Sequence, residues 1–124
     1  MKALSTTADP AAIGPYSQAI MAGDTVYVSG QLPINPSTGE FAEGGIKEQA
    51  RQSLNNIKNI LAEAGMTMQQ VVKVTVLMTD MSDFAAVNEV YAEFFSAPYP
   101  ARSAFAVAAL PKGGAIEIEA VAVK

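Results

Sequence analysis

Chemistry in this chain must come from carboxylates, phenols, hydroxyls, ammonium and guanidinium groups, because its 124 residues include no histidine and no cysteine. That absence excludes a Ser-His-Asp triad, a cysteine nucleophile, disulfides, thiolate or imidazole zinc sites and histidine general bases. What remains suits simple proton handling by a carboxylate beside a cation that positions an anionic substrate. Two carboxylates stand out: alternation along a strand puts Glu117 and Glu119 on one face with Val121 and Val123, while Ile116, Ile118, Ala120 and Ala122 face the other way. Such a pair either serves a site or marks a strand end emerging into water.

The complementary cation is Arg102, which opens a predicted strand after Pro100-Ala101 and shares its face with the small residues Ala104, Ala106 and Ala108. It reads as a strand-start salt bridge to Glu117 or Glu119, or as a bidentate clamp for a substrate carboxylate facing the acid across a hairpin. Tyr16, in the turn Gly14-Pro15-Tyr16-Ser17-Gln18, is a packed aromatic or a pocket wall. Ser29-Gly30-Gln31 ends a strand, where a hydroxyl and a close backbone approach could meet a ligand or make a turn. Asn88 lies between the apolar turns of a helix and either satisfies local backbone or orders a loop. The six methionines read as core filler.

These residues need a scaffold, and the pattern supplies one. Residues 18–21 and 25–29 flank Ala22-Gly23-Asp24 as a hairpin. The breakers of residues 30–45 predict a long connection with a turn at Asn35-Pro36-Ser37-Thr38-Gly39. Apolar residues recur every three or four positions from Ile46 to Ala64, with Gly65 as a left-handed cap, so an amphipathic helix is expected. Residues 71–78 form an interior strand. A second helix carries Phe84, Val87, Tyr91, Phe94 and Phe95 and ends before Pro98. Strands at 102–108 and 115–123, joined through Leu110-Pro111-Lys112-Gly113-Gly114, close the chain. The expected architecture is a single α+β domain over residues 1–124, a mixed sheet with both helices on one face. With no third helix, the other face needs a cover, and copies of the chain in a closed ring provide it.

Composition agrees. Half the residues are hydrophobic and 16% are charged, with mean hydropathy +0.21, which is more apolar surface than one small domain hides. A net charge of −4 offers no footprint for nucleic acid. The N-terminus has no basic region leading into an apolar block, and no long apolar run exists, so the expected location is the cytoplasm with no membrane partner.

Together, Ile13-Gly14-Pro15-Tyr16-Ser17-Gln18, Ser29-Gly30-Gln31, Asn88, Pro100-Ala101-Arg102-Ser103, Leu110-Pro111 and Ile116-Glu117-Ile118-Glu119-Ala120 resemble the Rid (reactive intermediate deaminase) family, also called YjgF, over essentially the whole chain. The resemblance implies a chorismate-mutase-like fold and a homotrimer with sites in the clefts between subunits. It implies Arg102 as the substrate-carboxylate ligand, Glu117 as the group that handles the hydrolytic water, and Tyr16, Ser29, Gly30, Asn88 and Ala104 as substrate-binding positions. Glu119 looks like a structural neighbour of Glu117. Many deaminase members carry cysteine two residues after the arginine; here that position is Ala104, and the main chain there is expected to serve. The implied activity is that of a hydrolase acting on enamine and imine acids, the 2-iminobutanoate/2-iminopropanoate deaminase type, which turns 2-aminoacrylate into a 2-keto acid and ammonia. Pyridoxal-phosphate enzymes that release 2-aminoacrylate would then be its functional partners. No cofactor or metal is called for, because an imine is already a good electrophile. Rival readings are a non-catalytic binding or regulatory module for small carboxylates, a chaperone-like protein, and a ribonuclease or translation inhibitor, the last disfavoured by the acidic charge and the missing histidine.

Overall fold

A computed structural model describes residues 1–124. Six strands and two helices follow in the order β1 (Lys2–Leu4), β2 (Ala19–Ala22), β3 (Thr25–Gln31), α1 (Ile46–Glu63), β4 (Val71–Met78), α2 (Phe84–Phe94), β5 (Ala101–Ala106) and β6 (Ile116–Val123). All six strands make one sheet in the order β1-β2-β3-β6-β4-β5, and β4/β5 is its parallel pair among antiparallel neighbours. No helix is long and apolar enough to cross a membrane.

The local signals act as expected. Gly65 takes the left-handed conformation (φ +70°), its N–H donates to Ala62 O at 3.0 Å, and that of Met66 donates to Leu61 O at 2.9 Å, which closes α1. In the long connection, Asn35 Oδ1 accepts from Ser37 N at 2.8 Å, and Gly39 (φ +74°) completes the expected turn. Asp80 Oδ1 accepts from Ser82 N at 2.9 Å in the short turn that leads into α2.

Both helices lie on one side of the sheet, as expected. Leu54, Ile57, Ile60 and Leu61 of α1 and Val87 and Val90 of α2 are buried with Val26, Val74, Val76, Met78, Ile116 and Ile118 of the strands. The opposite face carries Tyr27, Phe105 and Val123, all exposed in one chain, around half-buried Leu77 and Val121. An apolar sheet face without a cover is a surface that association would bury.

β1 lies outside the elements the pattern supplies: it pairs with β2, and Leu4 is buried, a three-residue strand too short to show periodicity. Three expectations need correction. Met66, Met68 and Met78 fill the core, but Met1 and Met81 are exposed. The strand predicted at 102–108 stops at Ala106. Above all, β5 and β6 form no hairpin. The β4-α2-β5 crossover lays β5 parallel along one edge of β4, and β6 takes the other edge, so β4 separates Arg102 from the glutamates.

Candidate active site

Register decides where each candidate side chain goes. Val74, which faces the helices, pairs with Arg102 on one side and Ala120 on the other; Leu77, which faces away from them, pairs with Phe105 and Glu117. Alternation therefore puts Arg102 and Ala104 on the helix-covered face and Glu117 and Glu119 on the open one. The candidates form two clusters on opposite faces of the sheet.

The first cluster surrounds a cavity of about 580 Å³ whose walls include Tyr16, Ser29, Gly30, Lys112, Glu117 and Glu119. A bulge shapes it: between Val28, opposite Ala120, and Gln31, opposite Ile118, β3 holds one residue more than β6. Gly30 falls in this bulge, and a Cβ there would lie 2.8 Å from Cδ and Oε1 of Glu117, so the missing side chain makes room for the carboxylate. Burial, followed by the neighbouring Glu119 charge, pushes the Glu117 carboxyl above its ordinary value. A carboxyl whose proton is held more tightly than usual, inside a cavity, is suited to exchanging protons with a molecule bound there.

The wall is tied down by backbone contacts. Ser29 Oγ donates to Ser17 O at 2.5 Å, and Ser29 N donates to Gln18 O at 2.9 Å, which fixes the Tyr16 turn against the end of β3. Buried Gln18 then staples the strap before that turn: its Nε2 donates to Pro10 O at 2.8 Å and Thr6 O at 3.2 Å, and its Oε1 accepts from Thr6 N at 2.8 Å. Within that strap Asp9 is buried with neither carboxyl oxygen hydrogen-bonded, and burial pushes it up to about 7. Tyr16, half exposed, is a pocket wall rather than a packed aromatic.

The second cluster holds Arg102. Its Nη1 donates to Asn88 Oδ1 at 2.8 Å, and its guanidinium lies 4.7 Å from the Tyr91 ring centre and 5.3 Å from that of Phe84. Phe84, Asn88 and Tyr91 are four and then three residues apart, so α2 presents them as one stripe under the planar fork. Tyr91 is itself braced by Phe95, with ring centres 4.5 Å apart. Arg102 makes no ion pair, which removes the salt-bridge reading, and Asn88 holds the arginine rather than local backbone. Ala104 packs partly buried against the core beside it. An exposed guanidinium with one edge held and its flat side supported can receive a carboxylate.

Tyr16, Ser29, Gly30 and Glu117 thus meet in one place and Asn88, Arg102 and Ala104 in another. Sequence reasoning missed Lys112, read only as part of a turn, and the bracing of Arg102 by Phe84 and Tyr91, whose helical spacing with Asn88 was a usable signal. It also left Gln18 without a structural task.

The chain is similar over nearly its whole length to proteins of known name. It is 54% identical over 121 residues, covering 98% of this chain and 88% of the relative, to the 2-iminobutanoate/2-iminopropanoate deaminase of Capra hircus. Among solved structures, RidA from the Antarctic bacterium Psychrobacter superposes with a TM-score of 0.96 at 51% identity, covering all of both chains. TdcF of E. coli, solved with bound serine, superposes with a TM-score of 0.96 at 46% identity, covering 100% of this chain and 99% of that one. The pattern of the family described as Endoribonuclease L-PSP matches residues 6–124, and the chain belongs to that family, the group known as YjgF or Rid.

Proposed function

We propose that the protein is an enamine/imine deaminase that hydrolyses 2-iminopropanoate, 2-iminobutanoate and related acids to 2-keto acids and ammonia, in a homotrimer whose sites lie between subunits. The observation that carries this reading is the pairing of a caged, upshifted carboxylate at Glu117 with an unpaired, braced guanidinium at Arg102. The activity named for the goat relative supports it. Because the two groups occupy opposite faces of one sheet, a substrate that touches both needs Glu117 from one copy and Arg102 from another. The uncovered apolar face supports such an assembly.

In this mechanism the Arg102 fork grips the carboxylate and Asn88 keeps the fork in plane. Tyr16, Ser29 and Gly30 line the space in which the enamine tautomerises to the imine, and the Ala104 main chain borders the Arg102 side. Glu117 accepts a proton from water as its oxygen adds to the C=N carbon. Glu117 returns that proton to the carbinolamine nitrogen, then takes the hydroxyl proton as the C=O bond forms and the C–N bond breaks, and ammonia leaves with the keto acid. Positioning plus one proton-transfer group, worth about 10²–10⁴-fold, suffices for an electrophile that already hydrolyses unaided. Working in the cytoplasm, the enzyme would clear the 2-aminoacrylate released by pyridoxal-phosphate enzymes.

Complementation tests the shared site. Arg102→Ala and Glu117→Gln, each inactive alone, should recover keto-acid formation when co-expressed, because mixed trimers contain sites with both native residues. No recovery from mixed trimers that assemble would overturn it.

A further inference from the structure

The Glu117 cavity poses an electrostatic problem for the proposed substrate. Its walls bear two carboxylates, Glu117 and Glu119, and a single basic residue, Lys112, while Arg102 of the same chain lies across the sheet. In the proposed assembly Arg102 of another copy grips the carboxylate once it is seated, but an anion on its way in past two glutamates is repelled unless a cation at the mouth offsets them. Lys112 stands at the lip, in the short turn Pro111–Gly113.

Its backbone is strained. Lys112 adopts φ 58° and ψ 20°, and it is the one residue other than glycine with positive φ in the chain. A left-handed backbone suits glycine and penalises a side chain with a Cβ. The lip is also firmly seated: Leu110 is buried, Gly113 N donates to Leu110 O at 3.2 Å, and Gly114 N donates to Pro111 O at 3.1 Å. A Cβ on Gly114 would fall 2.9 Å from Leu32 Cδ2, so the turn lies hard against the long connection after β3. Lys112 takes part in neither of the chain's ion pairs, Lys47–Glu89 and Arg51–Glu93. A lysine held in a strained backbone at a cavity mouth, without a partner, spends stability on something other than the fold.

We infer that Lys112 is the specificity-determining residue that admits anionic substrates to the Glu117 cavity, its ammonium offsetting the two glutamates. The inference rests on the cavity being the site of imine hydrolysis. A lysine that served only the fold would lower the melting temperature when replaced; one that serves the substrate separates stability from activity.

Lys112→Gly and Lys112→Gln in the full chain, assayed with 2-iminopropanoate generated in situ, test this. Lys112→Gly should melt higher than the parent, because glycine accepts the left-handed backbone, and its KM should rise roughly threefold or more with a smaller change in kcat. Lys112→Gln keeps the strain, so KM should rise without the gain in melting temperature, and Lys112→Arg should restore KM. The KM deficit of both neutral variants should shrink as salt is raised, because added salt screens the glutamates. Unchanged KM in both neutral variants, with Glu117→Gln inactive, would overturn the role of Lys112 alone. Full turnover by Glu117→Gln would overturn the cavity reading and this inference with it.

Discussion

Glu117 rests on Gly30, so closely that a single methyl group at position 30 would meet its carboxyl carbon and Oε1 at 2.8 Å. The side chain proposed to handle water is thus aimed by a residue with no side chain. Gly30→Ala must move the carboxylate by a large fraction of an ångström or open the bulge in β3. Turnover should fall by about 10²-fold, since small misplacements of a reacting group cost that much, while the melting temperature drops only modestly. Parental activity in Gly30→Ala would show that this carboxylate position is not the productive one.

The upward shift of Glu117 has a sign that pH can read. As the proposed general base it must be ionised, so kcat/KM should fall on the acid side with a midpoint above that of an ordinary glutamate. Burial is the larger cause and Glu119 the smaller, so Glu119→Gln should move that midpoint to lower pH and leave turnover near neutrality largely intact. An unmoved midpoint would mean that the Glu119 charge does not reach Glu117.

Asp9 makes stability depend on pH in the opposite sense to a salt-bridged carboxylate. Its folded value of about 7 lies above the ordinary 3.8, so between these values the folded protein holds a proton that the unfolded chain has released. Its contribution is therefore greatest at the acid end, is lost as pH rises from about 4 to about 7, and stays absent above. Asp9→Asn should gain on the parent across this window, by about 2 kcal/mol or more at pH 8, and match it near pH 4. Denaturant unfolding at the two pH values measures this; a constant difference would rule out Asp9 as the source.

Asn88 holds Arg102 without neutralising it, because an amide oxygen accepts the guanidinium proton but carries no charge. Asn88→Ala frees the fork and should raise KM for imino acids. Asn88→Asp should raise it further, by about tenfold, since a carboxylate at this place competes with the substrate's own. Steady-state kinetics on both variants decide; Asn88→Asp with the lower KM would mean that Arg102 needs rigidity more than a free charge.

Tyr27 lies on the uncovered sheet face, opposite Val121. A charge there is tolerated by an isolated chain, in which Tyr27 is already exposed, but not by a buried contact between copies. Tyr27→Glu should therefore give a folded monomer without deaminase activity, by light scattering and circular dichroism. An active monomer would refute the shared site.

Much of this protein was determined by local pattern. The periodicity of residues 46–64, the glycine that ends that helix, the turn at Asn35 and the alternation of Glu117 and Glu119 depend on neighbours within a few positions, and each stands where the sequence alone puts it. The absence of histidine and cysteine restricted the chemistry before any fold was known. What the tertiary structure decided is which strands pair. Consecutive strands joined by a turn-rich loop read as a hairpin, yet β5 lies along the far edge of β4, because the crossover through α2 buries that helix against the sheet. Strand pairing is a contest among distant partners for the same edge, settled by total burial, and no short window contains that contest. The placement of Arg102 away from Glu117, the extra residue that sets Gly30 under the carboxylate, and the lysine at the cavity lip follow from that pairing.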